Sequence, residues 1–185
     1  MANMNCCAQL FCHHESIKME IRTATYTDLD RIYAIECASF PQKEAATYPS
    51  LSRRLQVHPD QYWVLETTDS MAPNNKVILG FIGGMRTDHP KILDEMFNNA
   101  ALHDPNGKWL AVLGLAVAPV YRQKGYASRL LSETILQTKA VGAAGITLTC
   151  KNDLVAFYQR FGFKDAGISG SNHGGVTWHD MILAL

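Results

Sequence analysis

The 185-residue chain lacks an excess of charge of either sign: 17 Lys and Arg residues balance 17 Asp and Glu residues, without any basic run. Proteins that bind nucleic acid or an anionic membrane surface usually carry a basic patch. Long apolar segments are lacking as well. The longest, Trp109 to Val120, has about a dozen residues, whereas a helix needs roughly 20 to cross a bilayer. We therefore expect neither nucleic acid nor membrane as a partner.

Cysteine is scarce and odd in number, with five residues whose spacing is not that of a disulfide framework. Met1 to Leu10 has neither the basic start nor the long apolar block of a secretory signal, so we expect a cytoplasmic protein. Three of the cysteines and two histidines fall within Cys6 to His14. Zinc ligands usually come as spaced pairs from separate loops. We interpret residues 1–19 as a flexible extension with no metal site, and residues 20–185 as a single domain.

The apolar pattern predicts a mixed α/β protein with helices on the faces of one sheet. The expected strands are residues 20–25, 62–67, 77–85, 109–117, 146–150, 163–168 and 176–183. The expected helices follow Thr27, Ser50, Gly125 and Asn152 or Asp153, where the polar residues act as N-caps or first-turn residues. Residues 70–76 form a polar loop in this prediction, and residues 88–107 form a long connection with a short amphipathic piece at 92–97. "GFIGG" at residues 80–84 precedes no helix, so we interpret these glycines as strand residues.

The segment "VYRQKGYASRLL", residues 120–131, places basic residues and a glycine ahead of a helical pattern. A helix N-terminus offers unpaired N–H groups and partial positive charge, and a glycine lets a ligand approach the backbone. Arg122 and Lys124 add formal charge. The spacing matches neither the nucleotide-triphosphate loop nor the dinucleotide fingerprint. The residues alone leave two interpretations open: a solvated turn, or a site for another pyrophosphate ligand.

The loop resembles the acetyl-coenzyme A signature of the GNAT acetyltransferase superfamily, Arg/Gln-x-x-Gly-x-Gly/Ala, and the element order is similar to that fold. The resemblance implies a mixed, mostly antiparallel central sheet flanked by helices, with acetyl-CoA as cofactor. It implies that the preceding strand pairs with the pantetheine arm, through Leu115, Ala116 and Val117. It also implies a pyrophosphate cradle made of Arg122, Gln123, Lys124, Gly125, Tyr126, Ala127 and Ser128.

"NDLVAFYQRFGF", residues 152–163, is similar to the family's Asn-x6-Tyr-x3-Gly-Phe helix. The resemblance implies that Asn152 contacts the cofactor and that Tyr158 lies near the thioester sulfur, where a phenol can protonate the departing thiolate. Longer segments, among them "IECASFPQKEAA" and "LGLAVAPVYRQKGYASRLL", resemble the arylalkylamine (serotonin) N-acetyltransferase group. In that group acetyl transfer is direct, so the resemblance implies that Cys150 is a core thiol.

The chain departs from that group at the general base. The vertebrate enzymes carry two histidines on the central strand, and the matching positions here are Ala111 and Leu113, which cannot take protons. A carboxylate from the early helical region is the alternative, with Glu44 as our assignment. Glu36 and His173 remain open, as does water. We expect Glu36 to be a structural carboxylate held by backbone N–H groups, and we assign no role to His103 or His179.

The predicted function is transfer of an acetyl group from acetyl-CoA to a primary amine of a small molecule, an arylalkylamine or a polyamine. Phe40, Leu113 and His173 are the expected acceptor contacts. Two alternatives stay open: acetylation of a protein or peptide amine, and a catalytically silent acyl-CoA-binding module that regulates a partner, an alternative motivated by the missing histidine pair. The expected assembly is a monomer or a homodimer.

Overall fold

The computed structural model describes residues 18–69 and 72–185. Within them lie seven strands, four α-helices and several short 3₁₀ turns. The strands are β1 (Lys18–Thr23), β2 (Tyr62–Asp69), β3 (Ala72–Thr87), β4 (Trp109–Val117), β5 (Gly145–Cys150), β6 (Lys164–Ile168) and β7 (His179–Ala184). The helices are α1 (Leu29–Ser39), α2 (Tyr48–Val57), α3 (Tyr126–Ala140) and α4 (Val155–Gln159).

All seven strands form one sheet in the order β1-β2-β3-β4-β5-β7-β6. The pairs β1–β2, β2–β3, β3–β4, β5–β7 and β6–β7 are antiparallel, and only β4–β5 is parallel. The prediction of a mixed, mostly antiparallel sheet is therefore confirmed. The parallel pair follows from the α3 crossover, because two parallel neighbours need a long connection.

The parallel pair is short, and this opens the sheet. Only residues 109–111 of β4 pair with residues 145–147 of β5, so the strands separate beyond Ala111 and Thr147. A register shift against β3 between Gly83 and Gly84 leaves Leu113 as the extra residue of a β-bulge. A bulge reverses the alternation of side chains. Val112 accordingly packs into the core beneath α3, whereas Ala116 belongs to the core beneath α1 and α2.

Helices cover both faces of the sheet. One face buries Leu130 and Leu131 of α3 with Tyr158 of α4. The other buries apolar side chains of α1 and α2, such as Ile32 and Leu55, against β2 and β3. The strand glycines permit close packing: a Cβ on Gly83 would fall 2.0 Å from the Tyr62 ring, and one on Gly84 would fall 2.0 Å from the Ala111 carbonyl oxygen.

Several predicted boundaries were wrong. Neither Thr27 nor Asn152 nor Asp153 caps a helix: a 3₁₀ turn, Tyr26–Asp28, precedes α1, and the turn Asn152–Leu154 precedes α4. Residues 72–76, predicted as loop, extend β3, while the last strand begins at His179 instead of residue 176. The expected piece at 92–97 is a 3₁₀ turn, Asp94–Phe97. Gly142 follows the end of α3 with φ 70°, a conformation typical of the residue after a helix C-terminus.

Candidate functional site

The gap between β4 and β5 is the floor of a cleft. Residues 112–115 of β4 lie on one side and residues 148–150 of β5 on the other. The walls above them come from α1, from the turn before α4, and from three loops that we call the cleft loops: residues 40–47, 88–108 and 169–178. Lining side chains from these walls include Glu36, Phe40, Glu44, Phe97, Leu154, Tyr158, His173 and Trp178.

A concave site with a volume of about 210 Å³ lies at the N-terminus of α3. Gly125 is the N-cap with φ 76°, and Gln123 also adopts positive φ, 63°. Consecutive turns of this kind aim backbone N–H groups into one concavity, which suits an anion. Apart from the adjoining backbone, no atom of residues 18–69 and 72–185 lies within 4 Å of a Cβ built on Gly125, so the open space there admits a ligand. The residues of the predicted cradle that line this site are Arg122, Gln123, Gly125, Tyr126, Ala127 and Ser128.

Arg122 is tied to the end of β4, because its Nε donates to the Val117 carbonyl oxygen at 3.1 Å. Lys124 is exposed beside the cradle. From there a groove of about 460 Å³ runs along Leu115, Ala116 and Val117 toward the cleft. Asn152, the predicted cofactor contact, is exposed in the turn before α4. Leu115 lines both the groove and the cleft, and Val117 lines both the cradle and the groove. The three therefore adjoin one another along β4.

Tyr158 stands at the bottom of the cleft and is 7% exposed. Its ring packs edge-on against Phe157 and Phe163 at 5.0 and 5.7 Å between centroids. Burial raises the pKa of its phenol, and the neighbouring Cys150 thiol adds to this shift. A phenol in this position stays protonated at neutral pH, so Tyr158 is able to donate a proton or a hydrogen bond.

Glu36 enters the cleft from α1 and is 4% exposed. Its Oε1 accepts a hydrogen bond from the Ala46 backbone N–H at 2.7 Å. Its Oε2 points toward β4, where a Cβ on Gly114 would lie 3.8 Å away. Burial raises the pKa of Glu36 to about 7, although the Ala46 N–H and the charge of Arg54 act in the opposite direction. One backbone N–H group holds Glu36, as expected, but the carboxyl group also faces the cleft.

Glu44 lies across the cleft from the strand gap. Its side chain is 6% exposed, and its Oε1 accepts from the Lys151 Nζ at 2.8 Å. Lys151 in turn sits over the Trp178 ring, 5.9 Å from the centroid. The carboxylate that we assigned as base is therefore bound to a cation, and the assignment stays a prediction.

The cleft loops meet over the side of the cleft that carries the predicted acceptor contacts. The His173 ring stacks on Phe97 with centroids 4.1 Å apart, and His173 Nε2 lies 2.9 Å from the Glu44 carbonyl oxygen. The Trp178 indole donates to the His173 carbonyl oxygen at 2.8 Å. Gly174 packs on Glu44, since a Cβ there would lie 2.6 Å from the Glu44 Cγ. Phe40 and Leu113, the other predicted acceptor contacts, line the same cleft.

The remaining predicted residues fall as follows. Cys150 lines the cleft but is 1% exposed, and burial raises the pKa of its thiol to about 12, which disfavours a nucleophilic thiolate. His179 pairs with Asp165 at 3.0 Å on β7. His103 packs against His58, with centroids 4.6 Å apart.

Sequence reasoning missed Phe97, Trp178 and Lys151 as cleft residues. Each comes from a loop or turn whose position depends on distant contacts, and no motif marks them.

The described residues contain no group of three or more His, Cys, Asp or Glu side chains able to hold a metal ion. The segment from Cys6 to His14 lies outside them. No helix within residues 18–69 and 72–185 is long and apolar enough to cross a membrane.

Comparison with known proteins adds independent information. The model of the acetyltransferase (GNAT) family matches residues 29–163. Serotonin N-acetyltransferase of Mesocricetus auratus is 29% identical over 109 residues, which are 58% of this chain and 51% of that protein. The match therefore spans about half the length of that relative.

Solved structures share the fold. The loading GNATL domain of CurA from Lyngbya majuscula matches with a TM-score of 0.72 and 17% identity, covering 90% of this chain and 98% of that one. The PaiA N-acetyltransferase from Thermoplasma acidophilum, solved in complex with coenzyme A, matches with a TM-score of 0.62 and 16% identity, covering 91% and 99%. At these identities the likeness concerns the fold alone.

Proposed function

The chain belongs to the GNAT acetyltransferase family, and from that membership we propose that it transfers the acetyl group of acetyl-CoA directly to a primary amine of a small molecule. The observation that carries the proposal is the separation of β4 from β5, which brings Glu36 and Tyr158 into one cleft at the end of an anion cradle. The site supplies a place for the cofactor, a proton acceptor and a proton donor.

The cradle at the start of α3 suits the coenzyme A pyrophosphate because N–H groups, the helix dipole and Arg122 act together there. Beyond Ala111 the edge of β4 faces the groove instead of β5, so its backbone groups are free to pair with an extended ligand. A pantetheine arm is such a ligand. Laid along Leu115 to Val117, it brings the thioester to the gap between the strands.

Glu36 suits the general base better than Glu44. A primary amine has a pKa of about 10, by the lysine reference value, so it must lose a proton before it attacks the thioester. A base works best when its pKa lies near the working pH, and that of Glu36 is raised to about 7. Glu44 is bound to Lys151. We assign Glu44 to holding Lys151 in the wall of the cleft.

Tyr158 is the proposed acid. The ammonium gives one proton to Glu36, and its nitrogen attacks the carbonyl carbon while β4 amides near Leu115 polarise the carbonyl oxygen. The carbon–sulfur bond then breaks, and the thiolate receives a proton from Tyr158. The second proton of the amine nitrogen returns to the phenolate. The sum is amide, coenzyme A thiol and one proton, which leaves from Glu36.

The cleft favours a small acceptor over a peptide. The stack of His173 on Phe97 bridges two cleft loops, and His173 also contacts Glu44 in the third. The cleft that this bridge helps to line has a volume of about 90 Å³. Phe40, Phe97 and Trp178 supply aromatic walls, which suit an aryl or alkyl group attached to the amine.

The test is thiol release from acetyl-CoA with a panel of arylalkylamines, polyamines and peptides. We expect release with arylalkylamines or polyamines, and a drop in kcat of about 100-fold in Glu36→Gln, the scale of lost general-base catalysis. The value of kcat/KM should rise with pH up to about 7 and level off above it, because Glu36 must be ionised to accept a proton.

Glu44→Gln is the matched control, since it changes a second carboxylate in the same cleft. A larger loss in Glu44→Gln than in Glu36→Gln would restore Glu44 as the base. Release with peptides alone would move the acceptor to a protein amine. Binding of acetyl-CoA without release toward any amine would favour the silent binding module, which the absence of histidine at Ala111 and Leu113 motivates.

A further inference from the structure

The charge at the cleft is carried by two carboxylates and a neighbouring lysine. Of the described residues that line the cleft, only Glu36 and Glu44 have a carboxylate, and none is a lysine or an arginine. Lys151 directly follows β5 and lines the adjoining groove, with its Nζ 2.8 Å from Glu44 Oε1. The Glu44 side chain is 6% exposed, so a cation, and not bulk water, balances its charge.

In the proposed reaction Glu36 is reserved for the amine that reacts. An alkylamine arrives as an ammonium, by the lysine reference pKa of about 10, and ionised Glu36 pairs with it before accepting its proton. A diamine brings a second ammonium into the same cleft. Burial of that charge without an opposite charge is costly. The second ammonium would therefore need Glu44, whose charge Lys151 already balances.

The aromatic walls give a second cation little support. A cation is attracted to the face of an aromatic ring. The Lys151 Nζ lies 5.9 Å from the centroid of the Trp178 ring and occupies one face of it. The His173 ring covers one face of Phe97, with centroids 4.1 Å apart and 14° between the planes. The walls therefore favour the apolar part of an acceptor over a second charge.

Three further carboxylates lie in segments next to the cleft without lining it. Asp94 accepts from the Asn172 backbone N–H at 3.0 Å, and Asp180 pairs with Lys91 at 3.0 Å. Asp153 lines the groove, where we place the pantetheine arm of the cofactor. A second ammonium inside the cleft therefore depends on Glu44.

We propose that the Lys151–Glu44 pair makes the cleft selective for acceptors with a single positive charge, and that Lys151 is the residue that excludes diamines and polyamines. Lys151 acts in two ways: its charge repels a second ammonium, and it balances the carboxylate that such an ammonium would need. The inference rests on the proposed function, because the amine is the acceptor of that reaction. Of the two amine classes that the proposed function leaves open, it selects a monoamine with an apolar remainder.

The test uses two probes with equal numbers of heavy atoms, pentylamine and 1,4-diaminobutane, which differ by one positive charge. Calorimetry on the protein saturated with coenzyme A measures their binding without turnover, and thiol release from acetyl-CoA gives kcat/KM for each. We expect the wild type to favour pentylamine by about tenfold in both measurements, because the second ammonium of the diamine meets a cation and no free carboxylate.

Variants of the pair change the charge of this wall in both directions. Lys151→Gln should shift the preference about tenfold toward diaminobutane, because it removes the cation and leaves the Glu44 carboxylate facing the cleft. Glu44→Gln should shift the preference toward pentylamine, since Lys151 then lacks its partner. The double variant has a neutral wall again and should return to the wild-type preference. Melting temperatures verify that each variant folds.

Lys43→Gln is the control, because it makes the same substitution at an exposed residue that adjoins Glu44 in the chain but lines neither the cleft nor the groove. An unchanged preference in Lys151→Gln, or equal binding of the two probes to the wild type, would overturn the charge selection. Binding in the expected order without acetylation of any amine would refute the proposed function and leave the charge selection standing. Absence of binding of both probes would overturn both.

Discussion

Glu36, the proposed general base, is a carboxyl group whose burial lowers the stability of the folded protein at alkaline pH. An unperturbed glutamate has a pKa near 4.5, and burial raises that of Glu36 to about 7. Below the lower pKa value the carboxyl group is neutral in both the folded and the unfolded protein, so its burial costs little free energy. Above the higher pKa value the folded protein must hold a buried charge, which the Ala46 N–H and Arg54 partly compensate.

This cost predicts that Glu36→Gln is more stable than the wild type at alkaline pH. Because the pKa of Glu36 is raised in the folded state, its neutral carboxyl group contributes to the free energy of unfolding below about pH 4.5. This contribution is lost as the pH rises through about 7. Glutamine keeps the acceptor for Ala46 and has no charge to bury. The free energies of unfolding of the two proteins, obtained from thermal melts, should therefore be similar near pH 4. By pH 8 that of Glu36→Gln should be higher by up to about 3 kcal/mol. Equal pH dependence of the two proteins would contradict the raised pKa.

A second prediction at the residue scale concerns Tyr158. Tyr158→Phe should lower kcat about 100-fold, because general-acid catalysis is typically worth that much, with little change in acetyl-CoA affinity. The ring contacts with Phe157 and Phe163 remain, so the melting temperature should change little. Steady-state kinetics and calorimetric binding of acetyl-CoA measure the two effects. Unchanged turnover would remove the acid role.

At the scale of elements, α3 offers a matched pair of glycines. Gly125 precedes the helix with φ 76°, and Gly142 follows it with φ 70°. Beyond the adjoining backbone, no atom in the described part of the chain lies within 4 Å of a Cβ at either position. Alanine at either position should cost about 1 kcal/mol, since both require positive φ. Only Gly125→Ala should also raise the KM for acetyl-CoA, because a methyl group there enters the cradle. Equal KM values in both variants would show that this end of α3 does not bind the cofactor.

At the scale of elements, the sequence predicts some features of the fold and the candidate site and misses others. β4 and the helices that carry the two motifs were predicted because apolar runs and helical spacing are local signals, whereas the cradle was implied by the resemblance of residues 120–131 to the GNAT signature. The predictions that Thr27 and Asn152 cap helices were wrong, because both residues lie within 3₁₀ turns that precede α1 and α4. The position of Glu36 toward Gly114 depends on the bulge at Leu113, and the His58–His103 stack joins residues far apart in sequence. Such features arise from long-range packing, which a local pattern does not carry.

At the scale of the whole molecule, the proposed acceptor site is built from segments that are distant in the chain. Asp94 in one cleft loop accepts from the Asn172 backbone N–H at 3.0 Å and from the Ser171 hydroxyl, and Lys91 pairs with Asp180 on β7 at 3.0 Å. These contacts join the β3–β4 connection to the C-terminal part of the sheet. They hold Phe97 against His173, so the width of the site is a property of the assembled fold.

The last prediction follows from this closure. Removal of the bridge by Phe97→Ala or His173→Ala should widen the cleft, because each ring is the stacking partner of the other at 4.1 Å. The ratio of kcat/KM for a bulky amine over a compact amine should rise about tenfold in either variant, the scale of one or two kcal/mol of relieved overlap. The double variant should add little, since both substitutions remove one contact. Tyr26→Ala is the control, an aromatic that is 47% exposed and outside the cleft. An unchanged ratio with full additivity would mean that the Phe97–His173 stack does not limit the acceptor, and that selection lies deeper, at Phe40 and Leu113.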